Sequence, residues 1–316
     1  MGDSGRMEAW RMMWRKNGGA ILSGLFLLLL VLASIGNTFW NDGDVSQTVL
    51  LKGEDGTISA PPFPPSKEFL LGTDEKGYDL LGRAIEGAKW SIGITILIAF
   101  LRTFFAFWVG MVMTYVPRWL YARLEALFDS FSILPLTMVV FVILESVLLV
   151  SSGTSPAPFY KRAGFEVLIL VILVLPPLSF YMAKEAKRIK EREFMDAARV
   201  LGGSERHQIW SHIIPHLLPV SGVMFIQQFV QTLIIFLHLG VLGLFFGGTM
   251  VFMGPNGPEI ESISQEWSGL IGANFRYIVS HPWIPLAPIG FYTVTIIAAQ
   301  TLLKWIEGKT GKRSSL

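Results

Sequence analysis

The chain has 316 residues, of which 52% are apolar and 16% charged, and it contains no cysteine. A soluble domain carries nearer to about a quarter charged residues, so this composition, with a mean hydropathy of +0.50, excludes an ordinary soluble globular protein. Without thiols there is no disulfide, Fe–S cluster or thiolate zinc site, and a net charge of +2 says less than where the charges lie.

Six apolar stretches, near 19–38, 89–116, 125–150, 164–183, 216–247 and 283–306, are long enough to span a bilayer core, which takes ~20 helical residues. The expected fold class is all-α and polytopic, with six transmembrane helices. Arg11, Arg15 and Lys16 precede the first stretch as in a signal peptide, but its run is too long for an h-region and no small-x-small cleavage site follows. It reads as a retained anchor helix. Lys and Arg then set the orientation. With the basic segment 1–18 in the cytoplasm, inner segments carry seventeen of these residues, seven of them between Lys184 and Arg206, against eight outside. Both termini are then cytoplasmic, including the tail 308–316. Residues 39–88 form an extracytoplasmic segment, stiffened by Pro61, Pro62, Pro64 and Pro65. Residues 89–307 form the transmembrane domain, interrupted by a cytoplasmic loop at 184–215. The other outer segment, 248–282, reads as turns around Gly254–Pro258 followed by a short amphipathic piece at Trp267-Ser268-Gly269.

The charged loop Arg192–Pro219 lies between two apolar stretches and carries its own helix pattern. Phe194, Ala197, Ala198 and Leu201 fall at i, i+3, i+4 and i+7, one apolar stripe. Paired alanines keep that face thin enough for another protein to approach closely. Gly202-Gly203 stops the helix, because glycine takes the left-handed conformation of a C-terminal cap. Ser204 can cap the next segment, and Pro215 stands where the following span begins. The competing reading, a helix lying on the lipid surface, requires bulkier apolar residues than this face supplies.

Polar residues inside the spans are candidate path-lining groups. Gln227, Gln231 and His238 lie close to one face of the fifth span, with Gln228 beside them. Either they line a solvated path, or they make interhelical hydrogen bonds typically worth ~0.6–2 kcal/mol. Arg102, about thirteen residues into the second span, either meets a substrate carboxylate or pairs within the protein, Glu145 and Asp129 being the acids to consider. Enzyme signatures are lacking. Gly308-Lys309-Thr310 mimics the end of a P-loop, but Leu303 replaces its first glycine. No HExxH motif is present, and the spacing of His212 and His216 is the only metal-like feature.

Asp196-Ala197-Ala198, then Gly202, then His212-Ile213-Ile214-Pro215 resemble the EAA loop of ABC-importer permeases. Leu71–Ser91 is similar to the LGTD-containing signature of oligopeptide, dipeptide and nickel permeases, specifically the C-type partner of their heterodimer. Arg123, Asp129 and Pro135, the run Lys190–Phe194, Gly240–Gly243 and Trp267-Ser268-Gly269 follow in that family's order. Asp196 replaces the family's Glu, Tyr78 stands where Arg is usual and Gly82 where Ser is usual, and Thr301–Gly308 departs from the usual ending. The resemblance implies a five-helix type I importer core behind an anchor helix, in a prokaryotic cytoplasmic membrane. It implies a second, homologous permease chain, two ABC ATPase subunits and an extracytoplasmic substrate-binding protein. This chain would hold no cofactor, metal or catalytic residue, ATP and Mg being bound by the ATPases. Glu193, Phe194, Asp196, Ala197, Ala198, Leu201, Gly202 and Pro215 would form the ATPase-coupling loop, and the solute would be a short peptide or a related small polar molecule. Outside this class stand a secondary transporter, whose inverted repeats are not evident in the sequence, and a non-transporting sensor or assembly partner.

Overall fold

The computed structural model describes residues 3–52, 58–131, 135–151, 157–202, 204–254 and 257–313, with side chains described over 17–52, 58–126, 135–150, 157–202, 204–254 and 258–309. Its helices are α1 (Asp3–Asn41), α2 (Leu80–Met113), α3 (Arg118–Phe131), α4 (Leu136–Leu148), α5 (Phe159–Ile172), α6 (Leu175–Lys190), α7 (Glu193–Val200), α8 (Glu205–Gln208), α9 (Ile214–Val241), α10 (Trp267–Asn274) and α11 (Trp283–Arg313). Short strands are β1 (Leu51–Lys52), β2 (Ile58–Ser59), β3 (Leu149–Ser151), β4 (Thr249–Gly254) and β5 (Gly257–Ser262).

Among the described residues, four helical segments are long and apolar enough to cross a membrane: 17–41, α2, 205–241 and 283–309. The pair α5 and α6 is long and apolar enough only when taken together, and it bends by 42° at Leu173-Val174. Pro176 and Pro177 occupy the first turn of α6, where a missing N–H costs least, and they keep a straight helix from running through the break. The third expected stretch, 125–150, is divided between two helices. α3 ends at Phe131 and α4, only 13 residues or ~20 Å long, restarts just after Pro135. Residues 132–134 and the Asp129 side chain lie outside the described residues, as do Gly203 and the side chains of the basic N-terminal segment.

Packing divides the chain into two compact units. The first comprises Met1–Thr95, Phe141–Glu166 and Leu233–Leu302. Here α1 exposes Leu22, Leu25, Leu28, Leu29 and Leu32, as a lipid-facing helix does, and is tied down near its end. Ser34 Oγ donates to Glu86 O at 2.7 Å, and Asn37 Nδ2 to Glu86 Oε2 at 2.9 Å. β3 pairs parallel with β4, which forms an antiparallel hairpin with β5. The 248–282 segment thus contains a hairpin closing at Gly254 and Gly257 and a short helix, α10, which buries Trp267, Ser268, Gly269, Leu270 and Ile271.

The second unit comprises Ile96–Val140, Val167–Thr232 and Leu303–Leu316. Its core joins Ala106, Phe107 and Met111 of α2 to Met182, Ala186 and Ile189 of α6, Met195 of α7, and Leu217 and Met224 of α9. Burial of this apolar set holds the short α7 in place, since eight residues form no stable helix alone.

Candidate functional site

α7 begins after an extended Arg192 and carries Glu193 and Asp196 in its first turn and Arg199 in its last, the charge order a helix dipole favours. Met195 is fully buried in the second unit's core. Phe194 is half-buried and stacks on the His216 ring at 4.9 Å between centroids, with His212 at 6.0 Å. The opposite side is apolar too, yet open: Ala197 is exposed, and Val200 and Leu201 are each 87% exposed. The four-residue stripe read from the sequence therefore divides. Phe194 and Ala198 turn inward with Met195, while Ala197 and Leu201 turn outward with Val200.

The end of this helix is built for a sharp stop. Gly202 has φ +82° and its N–H donates to Arg199 O at 3.0 Å. Ser204 Oγ then accepts from the His207 N–H at 3.3 Å and starts α8. A π turn over Ile209–Ile213 leads into α9. Pro215 lies in the first turn of α9; its ring and missing N–H disfavour a regular α turn immediately before it, and the widened turn accommodates this. Asp196 Oδ1 accepts from Arg199 Nη1 at 2.8 Å, with both groups solvated. Such a surface pair contributes at most about 1 kcal/mol, so Asp196 is free to exchange partners.

On α9, Gln227, Gln231 and His238 are exposed, whereas Gln228 is buried. Gln228 belongs instead with Arg102, whose side chain is fully buried. Arg102 Nε and Nη2 donate to the Leu170 carbonyl at 2.9 and 2.7 Å. Its Nη1 donates to Thr232 Oγ1 at 2.9 Å and to Gln228 Oε1 at 3.4 Å. Of the two alternatives for Arg102 and Gln228, the described contacts are those of pairing within the protein: they bond to each other, to Thr232 and to a helix end. Neither Glu145 nor any other described carboxylate pairs with Arg102. The reason is local, because Leu170 sits in the last turn of α5, where helix carbonyls lose their intrahelical donors.

In the first unit the 71–91 and 267–269 motifs meet. Thr73 Oγ1 accepts from Phe63 N, and Asp74 accepts from Tyr78 N and from Arg83 Nη1, the latter at 2.8 Å. Burial pushes the Asp74 carboxyl above its usual range despite the Arg83 guanidinium beside it. The Tyr78 ring lies 4.3 Å from that guanidinium, so tyrosine at this position braces the cation by its π face. Gly82 packs on Val45, which a Cβ would approach to 2.9 Å, leaving no room for serine without a shift. Trp267 is fully buried; its Nε1 donates to Ala84 O at 2.6 Å, and its N–H to Ser91 Oγ at 2.8 Å.

Sequence comparison decides the class. Residues 86–312 match the binding-protein-dependent transport system inner membrane component. The chain belongs to that family. It is 24% identical over 285 residues to a putative peptide permease protein of Brucella abortus, covering 90% of this chain and 83% of the relative. It is 24% identical over 233 residues to the dipeptide transport system permease protein DppC of Alkalihalophilus pseudofirmus, covering 74% and 68%. It is 25% identical over 246 residues to the oligopeptide transport system permease protein OppC of Mycobacterium bovis, covering 78% and 76%. The chain is thus a transport subunit, a multi-pass permease of the inner membrane.

Of the residues read from the sequence, the permease brings Phe194, Asp196, Ala197, Ala198, Leu201 and Gly202 together on α7 and its cap, with Glu193 in its first turn. Two residues that matter to this surface escaped the sequence reading. Met195 seats the helix and Val200 extends its open apolar face. Met195 falls beside the four-residue stripe, and only a core wrapping past that stripe exposes its role. Val200 follows Ala197 at i+3, a signal visible once the outward face is known.

Proposed function

We propose that this permease forms half of the translocation pore of an ATP-driven importer for short peptides, and that α7 docks into an ATPase subunit. The reading rests on one observation above the rest: α7 is seated rigidly through Met195 yet leaves Val200 and Leu201 almost fully exposed. Exposed large apolar side chains at the end of a helix, rimmed by Asp196 and Arg199, have the composition of a protein–protein contact. The second pore half is a homologous permease chain, two ATPases bind ATP and Mg on the cytoplasmic side, and an extracytoplasmic binding protein delivers the solute. The excess of Lys and Arg in 184–206 supports a cytoplasmic loop and cytoplasmic termini. The peptide assignment is carried by the relatives named for peptide, dipeptide and oligopeptide transport.

Within this account Ala197 lets the ATPase surface approach, Leu201 and Val200 fill its cleft, and Asp196 exchanges Arg199 for a basic partner. Glu193, Phe194, Ala198, Gly202 and Pro215 set the position and end of the lever. Gln227, Gln231 and His238 line the path on α9. The test is copurification from native membranes. The wild-type permease should bring down an ATPase and a second permease, and Val200→Asp with Leu201→Asp should lose the ATPase while keeping the second permease. Retention of the ATPase by that variant would remove α7 as the docking element.

A further inference from the structure

Arg102 is a costly residue to place within a span, and among the described residues no carboxylate pairs with it. Its hydrogen bonds supply the reason. In a membrane every backbone group must find a partner inside the protein, and a helix broken in mid-membrane strands carbonyls at its end. In α5 the Leu173 N–H still donates to Ile169 O at 3.1 Å. The next bond of a continuous helix would run from the Val174 N–H to Leu170 O. The bend at Leu173-Val174 replaces it, and two guanidinium N–H groups take that carbonyl. The remaining fork holds Thr232 and Gln228 on α9. No neutral side chain has enough donors in one plane to serve all three acceptors.

We infer that Arg102 is a positioning residue for transport: it acts as a surrogate helix donor that satisfies the end of α5 at the break and ties it to α9. Pro176 and Pro177 keep the helix bent, so Leu170 O has no backbone donor and Arg102 supplies one. A straight helix, with Leu170 O bonded to Val174 N–H, becomes available only when both prolines are removed. α6 leads through Glu191 and Arg192 directly into α7, so the bend sets where the docking helix sits. The inference rests on the docking role proposed above for its consequence in transport, but the pin itself does not.

The experiment separates support of the fold from positioning. Arg102→Gln should lower the melting temperature of the detergent-solubilised complex and reduce peptide import at least ten-fold. Adding Pro176→Ala and Pro177→Ala lets the helix close and gives Leu170 its own donor. The triple variant should recover most of the lost melting temperature while import stays low, because the helix is now straight. Arg102→Lys, which lacks the fork, should behave as Arg102→Gln. Recovery of import together with stability would reduce Arg102 to a stabilising residue and overturn its positioning role. Absence of any suppression by the proline changes would overturn the surrogate-donor account. If the wild-type complex imports no peptide, the peptide reading fails, and the melting comparison still decides whether Arg102 holds the break.

Discussion

Met195, Gly202 and Asp196 lie within eight residues of one another and illustrate three different kinds of residue. Met195 fills the core beneath α7, so Met195→Ala leaves a cavity and should cost about 2–5 kcal/mol, seen as a lower melting temperature and early proteolysis in the 192–204 loop. Gly202 has φ +82° with no atom within 4 Å of a prospective Cβ. The penalty for Gly202→Ala is therefore backbone strain alone, about 1–2 kcal/mol. Gly222 offers the control: it lies inside α9, where added bulk also meets nothing. Gly222→Ala should be neutral or stabilising by up to about 1 kcal/mol. Asp196 is exposed and paired only with exposed Arg199, so Asp196→Asn should change stability by less than about 1 kcal/mol. Any larger effect of that substitution on import would then belong to the contact with a partner.

At the scale of elements, α10 shows how the first unit is closed around a single aromatic residue. Trp267 reaches across to Ala84 and Ser91 of α2 and contacts the Phe291 and Tyr292 rings of α11. Trp267→Ala should cost about 3–5 kcal/mol and release the hairpin of β4 and β5, which limited proteolysis would detect at 249–262. How much of this was legible beforehand follows from physics. Long apolar runs announce α1, α2, α9 and α11, because ~20 apolar residues in sequence have few alternatives. The run 125–150 is shared between α3 and α4, with Pro135 just before α4, a division that hydropathy averages over. α7 was legible in place and length, but not in orientation, since alanine fits a core and a surface equally well. The partner of Arg102 was not legible at all. It is a backbone carbonyl freed by a bend, and no side-chain pattern records one.

For the whole molecule, family membership makes the chain a permease, and the distribution of Lys and Arg supports the proposal that its 184–215 loop faces the nucleotide-bearing compartment. The central claim is that the open end of α7 touches an ATPase. The chain's lack of cysteine makes one measurement especially direct. Leu201→Cys would be placed in the assembled complex, with Arg188→Cys, also strongly exposed, as a control, and treated with a short thiol-to-amine cross-linker, which joins the new thiol to a lysine of a neighbouring chain. The account predicts a permease–ATPase adduct from position 201 that increases or decreases with ATP, and much less from position 188. Equal labelling of both positions by a soluble thiol reagent, with no ATPase adduct from position 201 in either nucleotide state, would contradict it.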